Sequence, residues 1–431
     1  MDKQALKKKV IEVIDSKAKE IIQIGDDLWK IPEVGYREYK TSEYVEKQYE
    51  KMGWIYENKL AMTGSKAYLK EKGAHPTVAV VGELDSLDIP THPAADPKTG
   101  WVHACGHHAQ ITAMLATGFG LDSVIDELDG NVVLMAVPAE ELIQMDFRNQ
   151  LVEDGKITFM GGKQEFIHIG AMDDIDMTVG SHSTGSLKGA KLGTGGTENG
   201  FIAKLTRYTG VEAHAGDHPD EAVNALNAAL LGIMGAHANR ETFRDEDHIR
   251  FHPILTKGGS IVNNVPADVH MESFVRGATV EAVKNANVKV NNALKAGAMA
   301  VGAEIELIDV PGYMPYHRDP VLDKVLRENC LAMTDEVPLG GHSCGSTDMG
   351  DFSCIHPTTN LIMGGVSGSH HHKTFTIEDK VNLYVLPAKA LAITVIDLLY
   401  DGASKAKDVI DRFEPVIPRK EYTAFMKKLV E

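Results

Sequence analysis

Only four cysteines occur in the 431 residues, at 105, 330, 344 and 354, and their spacing forms no framework. A disulfide-stapled secreted fold is therefore not expected, and the opening residues carry no secretory signal. These absences point to the cytoplasm. Basic residues are not in excess either: 44 Lys and Arg stand against 61 Asp and Glu, a formal net charge of −17. That balance argues against nucleic acid and anionic membrane as partners. The short run Lys7-Lys8-Lys9 reads as a solvated helix face. No apolar stretch approaches the roughly twenty residues that span a bilayer, because Pro387 and Lys389 interrupt the most apolar one, Tyr384 to Leu399. Repeats and low-complexity segments are lacking too. What remains is a globular composition, 43% hydrophobic, in a chain long enough for two domains.

Chemistry concentrates in His103-Ala-Cys-Gly-His-His108. Thiolate, imidazole and carboxylate are the ligands of borderline-soft divalent ions, and Gly106 lets Cys105 and His107 turn toward one site. A buried structural cysteine is the plainer reading of such a residue taken alone. The neighbours shift it. The apolar run Asn131 to Val137 predicts a buried strand followed at once by Glu140 and Glu141. Thr77 to Gly82 predicts another, ending in Glu83-Leu84-Asp85, and Asp176 to Gly180 a third, leading into His182. In open α/β sheets ligands collect outside the carboxyl ends of strands, so these acids and histidines are expected to share one crevice. Metal ligands with one carboxylate left to act on water indicate a hydrolase.

Several further motifs follow in one order: a His214-Ala-Gly-Asp-His-Pro stretch, Gly345-Ser-Thr-Asp-Met-Gly-Asp351, and a late histidine before Phe375 and Glu378-Asp379. Ahead of them stands Ile31-Pro-Glu-Val-Gly-Tyr, with Lys40-Thr-Ser shortly after. In this the chain resembles, over nearly its whole length, the M20 metallopeptidase family, and within it the amidohydrolase branch of N-acyl-amino-acid, aminobenzoyl-glutamate and auxin-conjugate hydrolases. The resemblance implies two divalent metal ions per chain, zinc or manganese, with nickel or cobalt as alternatives. It implies Cys105 as the bridging ligand, His107, Glu141, His182 and His371 as the remaining ligands, Glu140 as general base and Asp85 as the acid that orients a ligand. His371 lies four residues before Phe375, as the family ligand does, but His370 and His372 flank it and stay open. The family also implies that His214 polarises the scissile carbonyl, across a dimer in some relatives, and that Asn263, Asn264 and Arg276 grip a substrate carboxylate. Two departures stand out. His108 replaces the usual Asp after Cys-Gly-His, and Val81-Gly82-Glu83 replaces a common Arg-Ala-Asp. The Ser-Thr-Asp-Met-Gly-Asp segment is nearest the aminobenzoyl-glutamate side of the branch.

A Gly-rich stretch, Gly193-Thr-Gly-Gly-Thr, reads as a linker. Beyond it we predict a strand at Phe201 to Tyr208, a helix at Glu221 to Ala238, strands at Ile249 to Thr256 and Val269 to Arg276, a helix at Glu281 to Gly302 and a strand at Glu304 to Asp309. That βαββαβ order is ferredoxin-like. The expected architecture is α/β: a zinc-peptidase-like open-sheet catalytic domain from 1–192 and 311–431, interrupted by a lid or dimerisation domain at 193–310. A long final helix is expected from about Asp379 to Asp401.

The reaction expected is cleavage of the amide of an N-acyl or aromatic-acyl amino acid or a small peptide-like conjugate, a small molecule with a free carboxylate, by a homodimer or higher homo-oligomer. Two other classes compete: hydrolytic deamination of an aromatic amine, and a catalytically silent metal- or peptide-binding protein. Glu140 argues against the silent one, since binding needs ligands but no base beside them.

Overall fold

A computed structural model describes residues 1–187 and 189–430. The chain divides into two units: Met1–Thr197 with His317–Gly341 and Asp351–Tyr422, and Glu198–Tyr316 with His342–Gly350 and Thr423–Glu431.

The first unit is built on a mixed sheet with strands in the order Ile55–Leu60, Gly64–Tyr68, Asn131–Val137, Thr77–Glu83, Met177–Ser183, Thr358–Met363 and Leu192–Glu198. Thr77–Glu83 runs parallel to Asn131–Val137 and to Met177–Ser183. Thr77–Glu83 and Asn131–Val137 are largely apolar runs buried along their whole length, as strands covered on two faces must be. Register then does the positioning. Glu83 pairs with Val137 and Val81 with Gly180, so Glu83, the start of the Glu140-Glu141 turn and His182 reach the same edge of the sheet.

The helix His107–Asp122 packs across that sheet and is buried from His107 to Leu121, which explains why it shows no polar face. It begins at Gly106, whose φ of 87° only glycine adopts at little cost, and a Cβ there would meet the Ser183 hydroxyl at 2.2 Å. Any larger residue would push Cys105 and His107 away from His182.

Three sequence expectations in this unit are corrected. The Gly-rich stretch is no linker but part of the strand Leu192–Glu198, paired with Met363 and Ile362; strand pairing uses backbone, so glycine does not forbid it. The helix expected from Asp379 opens as a π turn, Val381–Val385, before the α-helix Leu386–Leu399, and two more helices, Ser404–Arg412 and Tyr422–Lys428, follow it. Pro387 has no N–H for the preceding turn, which favours the wider winding. With that turn included, Val381–Leu399 is long and apolar enough to cross a membrane, but 78% of it is buried inside the protein, as a core helix is. Lys7, finally, is not solvated: its ammonium lies 2.6 Å from Asp397 and 2.8 Å from Asn329.

Asp397 also receives Lys3 at 3.1 Å and the Asn329 amide at 2.9 Å, which ties the first helix, Lys3–Ser16, to the core. Burial raises its pKa, yet these partners outweigh burial and hold it below the usual carboxylate range. A depressed carboxylate stabilises above its unfolded pKa of about 3.9, and that stability is lost as pH falls through the folded value. Asp397→Asn is therefore expected to cost about 1.5–3 kcal/mol at neutral pH. In urea titrations the gap to the parent should narrow on acidification. A gap independent of pH would show that charge is not the cause.

In the second unit the strands Gly200–Thr209, Arg250–Lys257, Asp268–Gly277 and Glu304–Pro311 and the helices Ala225–Ala238 and Val280–Val301 follow one another as β-α-β-β-α-β. Their sheet is antiparallel, ordered Arg250–Lys257, Asp268–Gly277, Gly200–Thr209, Glu304–Pro311. Asp268–Gly277 alternates half-buried and buried residues, the period of a strand with one covered face. Val269, Met271 and Val275 of that strand pack against Ala228 and Ala236 of the first helix and Val290 and Leu294 of the second. The first helix starts later than expected, at Ala225, because the Asn224 side chain accepts from the Asn227 N–H and caps it there.

Candidate metal centre

At the carboxyl edge of the first unit's sheet, Cys105, His107 and His182 offer ligand atoms that all lie within 4.8 Å of one another, and so do Cys105, Glu141 and His371. Cys105 belongs to both groups. A third group, Glu83, His107 and Glu140, meets the same distance condition.

Each imidazole is aimed by its second nitrogen. His107 Nδ1 is 3.0 Å from Asp85 Oδ1 and His182 Nδ1 is 2.9 Å from the Ser183 carbonyl. Both partners are acceptors, so in the neutral ring Nδ1 carries the proton and Nε2 presents its lone pair to the cluster. Asp85, fully buried, also accepts the Glu141 N–H at 2.8 Å and so sets two of the clustered residues at once. His371 takes a φ of 56° and donates its N–H to the Ala104 carbonyl, which brings its Nε2 to 3.0 Å from Glu141 Oε1. Its neighbours do otherwise. His370 contacts the Ser183 hydroxyl at 3.4 Å and the His182 ring edge-on, and His372 contacts Thr374.

The electrostatics are those of tightly clustered opposite charges. Burial and Glu141 push the Cys105 thiol up, but His107 and His182 outweigh them and bring it down to about 6. Burial lowers His182, yet the Cys105 sulfur raises it to about 9. Burial opposes His371 likewise, and Glu141 carries it to about 11. Burial raises Glu141 and Glu83, while the first is pulled to about 2 by His371 and the second to about 2 by Lys163. His107 Nε2 and Glu141 Oε1 are buried and have charged neighbours within ion-pair distance, but no hydrogen bond of acceptable angle. Sulfur, nitrogen and oxygen atoms aimed at common space are the donor set that suits borderline divalent ions.

The sequence reading placed Glu83 in the crevice without a role there, and it missed Arg148. Glu83 Oε2 lies 3.2 Å from His107 Nε2, and its other oxygen receives the fully buried Lys163 at 2.6 Å. Its place two residues before Asp85 at a strand end was the available signal. Arg148, 1% exposed, donates to the carbonyls of Ala139, Met160 and Glu141 and holds the turn in which Ala139 adopts a φ of 58°. Nothing local in the sequence marks it. His108 faces the core, with Nε2 3.2 Å from the Tyr384 hydroxyl and its ring edge-on to Trp29, and burial holds it well below its usual pKa.

The other predicted residues lie in the second unit. His214 Nδ1 accepts the N–H groups of Gly216 and Asp217, so in the neutral ring the outward Nε2 carries the proton. Asn264 pairs with His214 across an isolated bridge and donates to Glu212, and the Asn263 carbonyl accepts from Ala215. Arg276 is elsewhere. Its guanidinium stacks near Phe201 and Phe274 and donates to His252 at 3.0 Å and Ser346 at 2.7 Å. Asn263 and Asn264 precede the strand Asp268–Gly277 and Arg276 nearly ends it. At about 3.3 Å per residue the strand from Asp268 to Arg276 spans roughly 26 Å. Within one chain Arg276 and these asparagines therefore stand toward opposite ends of that strand.

Residues 79–387 match the family described as Peptidase family M20/M25/M40. A Xaa-Arg dipeptidase of Mus musculus is 25% identical over 93% of this chain and 90% of its own length. An N-acetyl-L-cysteine deacetylase of Bacillus subtilis is 26% identical over 84% of each chain. Among solved structures, a dinuclear metal-binding peptidase of the M20 family from Bacillus subtilis superposes with a TM-score of 0.66 at 20% identity, covering 89% of this chain and 99% of its own.

Proposed function

Because this chain belongs to peptidase family M20/M25/M40 and is thus a hydrolase of amide or peptide bonds, we propose that it is a binuclear metal amidohydrolase that releases an amino acid from an N-acyl or peptide-like conjugate. The observation that carries this reading is the membership of Cys105 in two ligand groups, His107 with His182 and Glu141 with His371. Two divalent ions held by those residues would supply Lewis acidity toward the amide carbonyl and lower the pKa of water. Zinc and manganese suit the donors, and cobalt or nickel can replace them.

The chain's own groups do the rest. Glu140, beside His107, takes the proton of the attacking water and passes it to the leaving nitrogen. Asp85 keeps His107 and Glu141 in place. His214 donates from Nε2 to the oxygen that gains charge. Arg276 anchors the substrate carboxylate through its planar fork, on the bed made by Phe201 and Phe274. A small amide cannot reach both ends of a strand some 26 Å long, so we assign Arg276 to one copy of the chain and His214, with Asn263 and Asn264, to a second copy in a homodimer. The ferredoxin-like second unit then serves as lid and dimerisation module. The names of the two curated relatives support the substrate class, since a dipeptide ending in arginine and an N-acetylated cysteine both carry a free carboxylate.

The test is a substrate panel of N-acetyl-, N-benzoyl- and aminobenzoyl-amino acids with their carboxamides. Acids are expected to be cleaved and carboxamides scarcely touched, because a site built for a charged partner rejects an analogue that leaves it unpaired. Arg276→Ala should raise KM for the acid and shrink the preference by about 1.5–3 kcal/mol. Equal kcat/KM for an acid and its carboxamide in the parent would sink the anchor and turn attention to deamination.

A further inference from the structure

A second group of soft ligands lies in the second unit and shares no residue with the Cys105 centre. His248, His342 and Cys344 place ligand atoms within 4.8 Å of one another. His248 sits in a left-handed turn, φ 48°, just before the strand Arg250–Lys257. His342 lies in the strand Leu339–Ser343 and Cys344 just beyond its end, in the bend that follows. The two imidazoles stack with centroids 4.1 Å apart and planes inclined by 26°.

Asn199 holds the group together. It is fully buried, and its Nδ2 donates to the His248 carbonyl at 2.9 Å, which fixes the amide orientation and leaves Oδ1 as acceptor. Oδ1 meets His342 Nε2 at 3.1 Å, so Nε2 carries the proton and Nδ1 keeps its lone pair. The Asn199 N–H bonds the carbonyls of Ser343 and Gly345 on either side of Cys344. One buried amide thus binds both ligand-bearing segments and sets a ring tautomer, the arrangement by which residues behind metal ligands orient them.

We propose that His248, His342 and Cys344 bind a zinc ion, distinct from those of the Cys105 centre, with a fourth position open to solvent. Two imidazoles and a thiolate are a zinc ligand set. Zinc bonds of about 2.0–2.3 Å need ligands roughly 3.3–3.8 Å apart, and half-buried or exposed side chains already within 4.8 Å close that difference by rotation. The ion clips the turn at His248 to the segment bearing Ser346, the hydroxyl that receives Arg276.

Zinc bound per chain, measured by equilibrium dialysis and elemental analysis of the full-length protein, tests this. Cys344→Ser and His342→Ala should each bind one zinc fewer than the parent. Cys105→Ala, in which the other centre is removed, should keep that zinc and, loaded with cobalt, show a thiolate charge-transfer band that Cys105→Ala with Cys344→Ser lacks. Both changes at 342 and 344 fall on accessible side chains, so either variant suffices if the other misfolds. Unchanged stoichiometry in a folded variant, or a cobalt-loaded Cys105→Ala protein without the band, would overturn the site. Failure of the proposed centre at Cys105 would instead appear as a parent that binds a single zinc, which Cys344→Ser still removes.

Discussion

Glu140→Gln is expected to fold, to keep the metal content of the parent and to lose about 10² to 10⁴ in turnover, the usual contribution of general acid–base assistance. The amide keeps size and hydrogen bonding but cannot take a proton from water. Glu141→Gln, one residue on, should fail differently. Its carboxylate is clustered with Cys105 and His371, so metal should be lost first and activity with it. Elemental analysis beside steady-state kinetics separates the two, and an exchange of the two phenotypes would reverse the assigned roles. The same variant tests the dimer. Mixed with His214→Ala subunits, Glu140→Gln subunits should regain activity if base and donor come from different copies, and no recovery would place His214 in its own chain or outside the reaction.

Cys105→Ala should abolish activity by emptying both proposed positions together, because the thiolate belongs to both ligand groups. The loss follows from geometry: one sulfur removed leaves two residues on each side, below the three protein ligands of a typical catalytic site. Folding should survive, since Cys105 contributes a small side chain to a core cluster of several dozen residues. A Cys105→Ala protein that retains the parental metal content at this centre would refute the bridge.

The ends of the three central strands were legible because apolar runs stop abruptly at acids or histidine, and parallel pairing then forces those ends to one edge. Other features depend on partners far away in sequence. Lys163 gives no local sign of burial, since the carboxylate that accepts it, Glu83, is 80 residues off. His371 could not be separated from its neighbours by spacing alone, because three histidines in a row share one local pattern. A left-handed backbone at the middle one makes the distinction. The distance between Asn264 and Arg276 was hidden for the opposite reason. Sequence proximity suggests closeness, whereas an extended strand carries its two ends as far apart as the chain allows.

The Arg148 clamp bears on how metal enters and leaves. Its guanidinium occupies three carbonyls around the Glu140-Glu141 turn while Asp85 secures the Glu141 amide, so the walls of the centre are assembled without help from an ion. Metal loading is then uncoupled from folding, unlike a zinc finger, where the apo chain is unfolded. Chelation should yield an intact apoprotein that recharges on addition of metal. The gain in thermal stability on recharging should follow mass action alone, growing with the logarithm of free metal above its dissociation constant.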